Sequence, residues 1–451
     1  MIRIRGMNLL HFILVTAVML AAWFNMYVPL LEAQIAQTVS IAVCVCYFIL
    51  SIFFYRTYNA YKIGMHRARE TFYAETLANL FSDGITYLFA CLIQLKALHI
   101  LPVLLVFLIQ TFISGIWCRI TNRIYFKLHK PLRTLVIYKS DEDLEKFHEI
   151  AYFESRFSIQ SKLKNPQDIF DVLPEIAGYQ AVIVSGIDAT MRNGIVKECI
   201  DKNIGCFFIP HTGDVIIAGA KHVQSFSVPI MEAKRAALRP EYAFAKRALD
   251  IILSSFALIV ASPLMIVATL MIRAYDHGPA LYKQVRLTKN GKSFTILKFR
   301  SMCIDAEKDG VARLASDHDR RITPIGKVMR AVRFDEFPQF INILKGDMSI
   351  VGPRPERPEI AARYEKEIPA FSLRLQVKAG LTGMAQVYGK YDTAPKDKLK
   401  MDLMYINNMS LMEDLRLIFA TAKVLLMKES SQGISRGQVT AADGEKVEKG
   451  A

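Results

Sequence analysis

Four apolar runs occupy the first quarter of the chain: Leu9–Leu31, Thr38–Tyr55, Thr76–Leu95 and Ile100–Trp117. Each is near the roughly 20 residues a helix needs to cross a bilayer. A hydrophobic content of 52% and a mean hydropathy of +0.23 agree with membrane segments. The first run is too long for a cleaved signal peptide, and no small-residue cleavage site follows it. Basic residues sort the connecting loops. Arg3 and Arg5 precede the first run, Arg56, Lys62, Arg67 and Arg69 follow the second, and Arg119, Arg123, Lys127, Lys130 and Arg133 follow the fourth. The turns near Pro29–Gln37 and Lys96–His99 hold a single Lys and no Arg. The positive-inside rule then predicts four crossings of the cytoplasmic membrane with both ends cytoplasmic. Asp83 lies inside the third run, with Glu75 and Asn79 nearby, and should face other helices rather than lipid.

At 451 residues the chain has room for two or three units. Its net charge of +15 points to anionic partners such as headgroups or a phosphorylated substrate. Nucleic acid is disfavoured, because no nucleic-acid motif or dense basic tract is present. The seven cysteines make no C-x-x-C pair and read as reduced thiols rather than a disulfide framework or a zinc site.

Leu132–Pro229 changes character. Leu135–Tyr138, Ala181–Ser185 and Cys206–Ile209 read as strands, and Glu142–Ile150, Pro166–Ile176 and Met191–Asn203 as helices. The alternation predicts a small α/β domain with a parallel sheet. The turn after the first strand, Lys139-Ser140-Asp141-Glu142, has no glycine and two acids. A dinucleotide site would need a glycine-rich turn there, so the domain reads as structural or regulatory.

A fifth apolar run, Ala248–Ile272, is flanked by Lys246-Arg247 and Arg273 and interrupted by Ser262-Pro263. A straight crossing would carry everything after Arg273 to the far side, away from cytoplasmic nucleotides. Pro263 removes a helical hydrogen bond and offers a kink, so the run can enter the membrane and return on one face. An ordinary spanning helix with a tolerated proline is the competing reading.

Beyond Gly278 the chain is dense in polar motifs. Asn290-Gly291 marks a hairpin between Ala280–Arg286 and a strand ending in Lys298-Phe299-Arg300-Ser301-Met302. Arg330 to Glu356 gathers Asp335-Glu336, the arginines Arg330, Arg333 and Arg354, and a Gly-Pro-Arg-Pro turn. Phe337, Phe340, Ile341 and Leu344 have helical spacing, with Pro338 tolerated only in a first turn. Asp335 and Glu336 should therefore sit at a helix N-terminus, kept ionised by its field and by the arginines. Such acids suit a metal ligand or a carboxylate nucleophile, and equally an N-cap salt-bridged to Arg330. Lys378–Gly383 and a helical segment with Asp402 and Tyr405 follow, and 429–451 reads as a polar, disordered tail.

Several motifs in order resemble the bacterial sugar transferases, the monotopic phosphoglycosyl transferases that attach a sugar phosphate to polyprenyl phosphate. They are Lys246-Arg247-Ala248-Leu249-Asp250-Ile251, Ser262-Pro263, Gly278-Pro279, Lys298 to Met302, Asp335-Glu336-Phe337-Pro338-Gln339 and Gly346 to Pro355. The likeness covers about Lys246 to Lys428, and it departs from the family at Ala379, where proline is usual. With the apolar runs and the degenerate α/β domain, it is similar to the large members that initiate exopolysaccharide or capsule synthesis.

The resemblance implies four transmembrane helices over 1–131, a degenerate Rossmann-like domain over 132–230, and an α+β catalytic domain over 231–428 with a re-entrant helix at about 246–273, kinked at Ser262 and Pro263. It implies that Asp335 attacks a UDP-sugar, releasing UMP, and that undecaprenyl phosphate then takes the sugar phosphate from the aspartate. Mg²⁺ at Asp335 and Glu336, and Arg330, Arg354, Lys298 and Arg300 on substrate phosphates, are the implied supports. A homodimer is compatible with it. Two other classes compete with it: a non-enzymatic scaffold or regulator of polysaccharide synthesis whose α/β domain senses a ligand, and a nucleotide-sugar dehydratase or epimerase. The first leaves the acids and arginines without a role, and the second lacks its dinucleotide fingerprint. The sugar is not legible in the residues.

Overall fold

The computed structural model describes residues 2–64, 67–148, 153–225, 228–304, 319, 321–389 and 393–426; the expected tail at 429–451 lies outside the described residues. The chain divides into two compact units, Met1–Ile209 and Pro210–Ala451.

The first unit begins with α1 (Ile2–Ala22), which runs on through a π-turn at Trp23–Tyr27, then α2 (Ala33–Thr57), α3 (Ala68–Gln94) and α4 (Leu101–Leu128). All four are long and apolar enough to cross a membrane. Helix α2 packs on α3, α3 on α4, and α4 on α1. Their outer faces keep large apolar side chains such as Leu14, Ile41, Leu88 and Phe112 exposed, as lipid-facing helices do. Asp83 is turned inward, as expected, with 1% of its surface exposed.

The α/β part follows: β1 (Leu132–Tyr138), α5 (Asp141–His148), α6 (Phe153–Arg156), β2 (Phe157–Lys164), α7 (Leu173–Ile176), β3 (Ala181–Ser185), α8 (Ala189–Asp201) and β4 (Gly205–Phe208). The sheet is parallel in the order β2-β1-β3-β4, with Leu135, Ile137, Val182 and Val184 in its core. Strand order reverses between β1 and β3, where open α/β sheets bind ligands beyond the strand ends. Here that position holds a carboxylate of the chain itself. Ser140 donates to Asp143 Oδ2 through its N–H (3.3 Å) and its Oγ (2.8 Å). Gly186, at φ +70°, leaves room for it, since a Cβ there would lie 2.2 Å from the same oxygen. Both Ser140 donors of this turn are thus taken by Asp143.

The second unit comprises α9 (Thr212–Ala218), the hairpin of β5 (Lys221–Ser225) and β6 (Val228–Glu232), α10 (Pro240–Asp276), and the hairpin of β7 (Leu281–Leu287) and β8 (Ser293–Phe299). Then come α11 (Pro324–Ala331), α12 (Gln339–Lys345), β9 (Met348–Val351), α13 (Pro358–Glu367), β10 (Ala379–Thr382), α14 (Met384–Tyr388), α15 (Pro395–Asn407) and α16 (Leu411–Leu426). Ile343, Met348, Val351, Leu399, Leu403 and Leu417 form its core. Helix α9 belongs here, with Val215 in that core and its carbonyl accepting from Asn407 Nδ2 at 2.7 Å, so the segment expected over 132–230 is divided between the two units.

Helix α10 is 37 residues long and stays helical through Pro263. Proline 263 has no N–H for the carbonyl four residues back, that of Ile259. Ser262 Oγ donates to that carbonyl instead, at 2.8 Å, so the Ser-Pro pair keeps the ladder occupied. Both ends of α10 are seated on the second unit. Near the start, Asp250 Oδ1 accepts from Ser349 Oγ (3.1 Å) and Ile350 N (2.9 Å) on β9, and Arg247 donates to the carbonyls of Ile343 and Leu344, each at 2.7 Å. Near the end, Ala268 and Ile272 pack with Ala280, Phe299 and Met329. Between these anchors Ile252, Phe256, Ile259, Val260 and Leu264 are exposed.

Candidate active site

The β7–β8 hairpin turns as its Asn-Gly pair predicts, with Asn290 at φ 60° and Gly291 at φ +74°. Antiparallel pairing from Leu287↔Ser293 to Leu281↔Phe299 carries Lys298 to the far end of β8. Helix α11 approaches from the other side, capped by Thr323, whose Oγ1 accepts from Gly326 N at 3.0 Å. Its last turn carries Arg330, and Arg333 then turns the chain with a left-handed φ of 53°. Asp335 and Glu336 follow in a single 3-10 turn, Phe334–Glu336, ahead of α12. That turn leads into α12, which begins at Gln339 with Pro338 as its N-cap, so the acids stand one turn ahead of the α-helix that the spacing placed them on.

Neighbouring side chains set the two acids apart. Glu336 Oε1 accepts from Lys298 Nζ at 2.9 Å and from Arg354 Nη2 at 3.1 Å. Burial works against its charge, but Lys298, Arg354 and Arg333 outweigh burial and hold its carboxyl far below the usual range. Asp335, 9% exposed, accepts no hydrogen bond among the described residues. Burial, and then the Glu336 charge, push its carboxyl up against the pull of Lys298, Arg330 and Arg354. One acid is thus pinned and ionised, while its neighbour feels the same cations without a hydrogen bond to any of them. Arg330 acts on Asp335 and keeps a buried Nη1 without a hydrogen-bond partner among the described residues.

Of the six residues expected here, the structure brings together Asp335, Glu336, Lys298, Arg330 and Arg354. Arg300 is placed elsewhere. Its Nε donates to the Pro279 carbonyl at 2.8 Å, its Nη1 to Asp276 Oδ2 at 2.6 Å, and its Nη2 to Asp276 Oδ1. Its planar fork is filled by that carboxylate, so Arg300 fastens the end of α10 to the hairpin instead of reaching a substrate phosphate. Gly278 makes room, because a Cβ there would lie 2.9 Å from the guanidinium nitrogens.

Other positioning residues carry no local signal in the sequence. Asn342 Oδ1 accepts from Leu297 N (3.0 Å) and its Nδ2 donates to the Thr295 carbonyl (2.8 Å), fixing α12 against β8 and hence Glu336 against Lys298. Phe299, Phe334, Phe337 and Phe340 form an aromatic ladder, with ring centroids 5.9, 4.7 and 5.6 Å apart in turn. The turn carrying Arg354 rests on a close backbone approach: a Cβ on Gly380 would lie 2.1 Å from Gly352 N. Ala379, the expected departure from proline, uses the N–H that proline lacks, donating to Thr288 Oγ1 at 3.2 Å. Tyr405 donates to Asp414 Oδ1 at 2.7 Å, and Asp402 pairs with Arg374.

A family model described as bacterial sugar transferase matches residues 241–428. The chain is 42% identical over 190 residues to the UDP-N-acetylgalactosamine-undecaprenyl-phosphate N-acetylgalactosaminephosphotransferase of Aeromonas hydrophila, covering 42% of this chain and 45% of that one. It is 34% identical over 239 residues to the UDP-glucose:undecaprenyl-phosphate glucose-1-phosphate transferase of Klebsiella pneumoniae, covering 52% of this chain and 51% of the relative. The chain thus spans about half the length of these two relatives. It matches the exopolysaccharide production protein PSS of Rhizobium leguminosarum at 40% identity over 185 residues, which is 39% of this chain and 92% of that protein. The matched segment contains every side chain of the acid–arginine cluster, and with nearly the whole Rhizobium protein covered, the chain belongs to the bacterial sugar transferase family.

Proposed function

We propose that this chain transfers a sugar phosphate from a UDP-sugar to undecaprenyl or another polyprenyl phosphate, as an initiating membrane step of exopolysaccharide or capsule synthesis. The observation that carries the reading is the split pair: Asp335 without a hydrogen bond beside a Glu336 held by Lys298 and Arg354. In the first half-reaction an Asp335 carboxylate oxygen attacks the sugar-proximal phosphorus. The P–O bond to the uridylyl phosphate breaks, and its electron pair leaves on UMP. In the second, an oxygen of polyprenyl phosphate attacks the same phosphorus, the bond to Asp335 breaks, and a sugar diphospholipid leaves. Arg330 and Arg354 face the transferring phosphate, and the unpartnered Nη1 of Arg330 suits an incoming anionic oxygen.

The donor set fits Mg²⁺. Asp335 and Glu336 supply two adjacent hard carboxylates, and Mg²⁺ habitually pairs one or two such groups with substrate phosphates and water. Bound there, it would neutralise diphosphate charge.

The four apolar helices of the first unit fit a transmembrane bundle in the cytoplasmic membrane with both ends cytoplasmic, and α10 fits a re-entrant helix. Support for the latter comes from its anchors: Asp250 and Asp276 both engage the same unit, while the exposed apolar stretch lies between them. A spanning helix would place those anchors on opposite faces of the bilayer.

Two experiments test this reading. Purified protein given a UDP-sugar without lipid acceptor should release at most one UMP per active site and retain a sugar phosphate on the peptide carrying Asp335. UMP formed only when both substrates are present would sink the two-step route. Cysteines placed at Ala243 and His277 in right-side-out and inverted vesicles should both be labelled from the cytoplasmic face, and labelling from opposite faces would rule out the re-entrant arrangement.

A further inference from the structure

A cavity of about 130 Å³ adjoins the acid–arginine cluster. It lies between the Gly-Pro-Arg-Pro turn, helix α13 and the 3-10 segment Pro369–Gln376, and the end of β7 and the start of β10 close it. Phe371, Arg374, Val377 and Ala379 form a buried floor. Arg354, Ala362 and Glu365, all exposed, form the mouth. Arg354 joins the cavity to the reacting groups, since it lines the mouth and also donates from Nη2 to Glu336 Oε1 at 3.1 Å.

Size, charge and hydrogen bonding select the occupant. An apolar cavity of about 150 Å³ holds one benzene ring. The present one therefore has room for a single ring and not for a fused pair. Glu356 and Glu365 line it, and two carboxylates repel a phosphate. They suit a hydrocarbon chain no better, because Glu356, whose Oε1 is 3.5 Å from Arg374 Nη1, would lose its water to the chain and gain no hydrogen bond. A sugar has a hydroxyl on nearly every carbon, whereas Leu287, Pro353, Pro358, Ala361 and Leu375 make most of the wall. The polar groups are few. Ser372 Oγ lines the cavity and makes no hydrogen bond among the described residues, and the Glu356 carboxylate can accept. A pyrimidine meets all three conditions: one ring, no charge, and an edge that both donates and accepts.

We propose, resting on the UDP-sugar reading above, that this cavity holds the uracil ring of the nucleotide donor. Its ring N–H between the two carbonyls donates to Glu356, and one of those carbonyls accepts from Ser372 Oγ. Arg354 then stands between the base and the transferring phosphate, so the turn that serves the chemistry also sets the reach of the nucleotide. Purine nucleotides are excluded by the second ring.

The test uses the full chain in lipid nanodiscs and UMP as the probe. Irradiation with a thiouridine monophosphate photoprobe should label the peptide holding Phe371 and Ser372 or the one holding Ala361 and Ala362. Excess UMP should protect both, and ribose phosphate, which lacks the base, should protect poorly. Ala362→Trp blocks the mouth at an exposed position and should weaken UMP binding about tenfold or more without changing the affinity for ribose phosphate. Ser372→Ala, which removes one neutral hydrogen bond, should weaken it about threefold. GMP should bind the wild type at least about tenfold less tightly than UMP. Label on other peptides, protection by polyprenyl phosphate in place of UMP, or GMP binding as tightly as UMP would overturn the proposal and leave the transferase reading standing. Wild-type protein that binds no UMP at all would overturn both. The labelled peptide decides the matter if Ala362→Trp fails to fold.

Discussion

Asp335→Asn is expected to abolish sugar-phosphate transfer while leaving a protein at least as stable as the wild type. The loss should be on the order of 10³-fold or more, as for other nucleophiles that form covalent intermediates. The amide fits the same volume but cannot accept the phosphosugar. The stability result follows from the sign of the shift. Burial and Glu336 raise the Asp335 carboxyl in the folded state, so its ionised form is penalised there. Wild-type stability from this group therefore falls as pH rises through the ordinary carboxylate value to the raised folded one, and Asn removes that penalty. Glu336 has the opposite sign. Its folded value lies below the ordinary one, so its contribution is present at neutral pH and is lost only as pH falls through the depressed value. Glu336→Gln should accordingly destabilise, since Lys298 and Arg354 lose the charge they share, and should slow transfer. Thermal midpoints at neutral pH, with mass spectrometry of the Asp335 peptide after exposure to a UDP-sugar, check both variants. A marked loss of stability in Asp335→Asn would contradict the assigned cost of its charge.

What the sequence disclosed depended on whether a signal is local. Leu135–Tyr138 and Ala181–Ser185 stood out because strands buried on both faces read as unbroken apolar runs, and β3 occupies that very span. The adjoining strand β2, Phe157–Lys164, gives no such run, although Phe-Ser-Ile-Gln-Ser-Lys-Leu-Lys alternates. It lies at the sheet edge, and after Phe157 its inward residues are only half-buried. Pro166–Ile176 reads as one helix but is broken: a 3-10 turn at Ile169–Asp171 precedes the short α7, which has Pro174 in its first turn. In the site, adjacent acids and a Gly-Pro-Arg-Pro turn are visible in the letters. Arg300 looks no different from Lys298 in sequence, only two residues away. Its partner Asp276 lies 24 residues back, and only the folded hairpin discloses it. Asn342 is equally silent, because its partners, Thr295 and Leu297, sit on a strand more than 40 residues earlier.

Arg374→Met is expected to cost about 3–5 kcal/mol of stability, the usual consequence of stripping one partner from a buried pair. Arg374 and Asp402 are 4% and 2% exposed, with Arg374 Nε 2.9 Å and Nη2 2.7 Å from Asp402 Oδ2. Burial opposes both charges. On Arg374, Asp402 and Glu356 together outweigh it, whereas on Asp402 burial wins and the carboxyl stays above its usual range. Removing the guanidinium leaves burial and the Glu356 charge acting against Lys398 alone, which raises that carboxyl further. The variant should therefore regain stability on acidification, as Asp402 takes up a proton, and lose it again as pH rises. A double substitution, Arg374→Met with Asp402→Leu, should recover much of the loss, since neither charge is then buried. Transfer should suffer in the single variant even where it remains folded. Arg374 Nη1 lies 3.5 Å from Glu356 Oε1, two residues beyond Arg354, and without that contact the turn presenting Arg354 to Glu336 loses its brace. Denaturant unfolding across pH, with transfer assayed at a temperature where the variant is folded, separates the two effects. A single variant as stable as wild type at neutral pH would mean that Asp402 is neutral in the native protein and that the pair is not ionic.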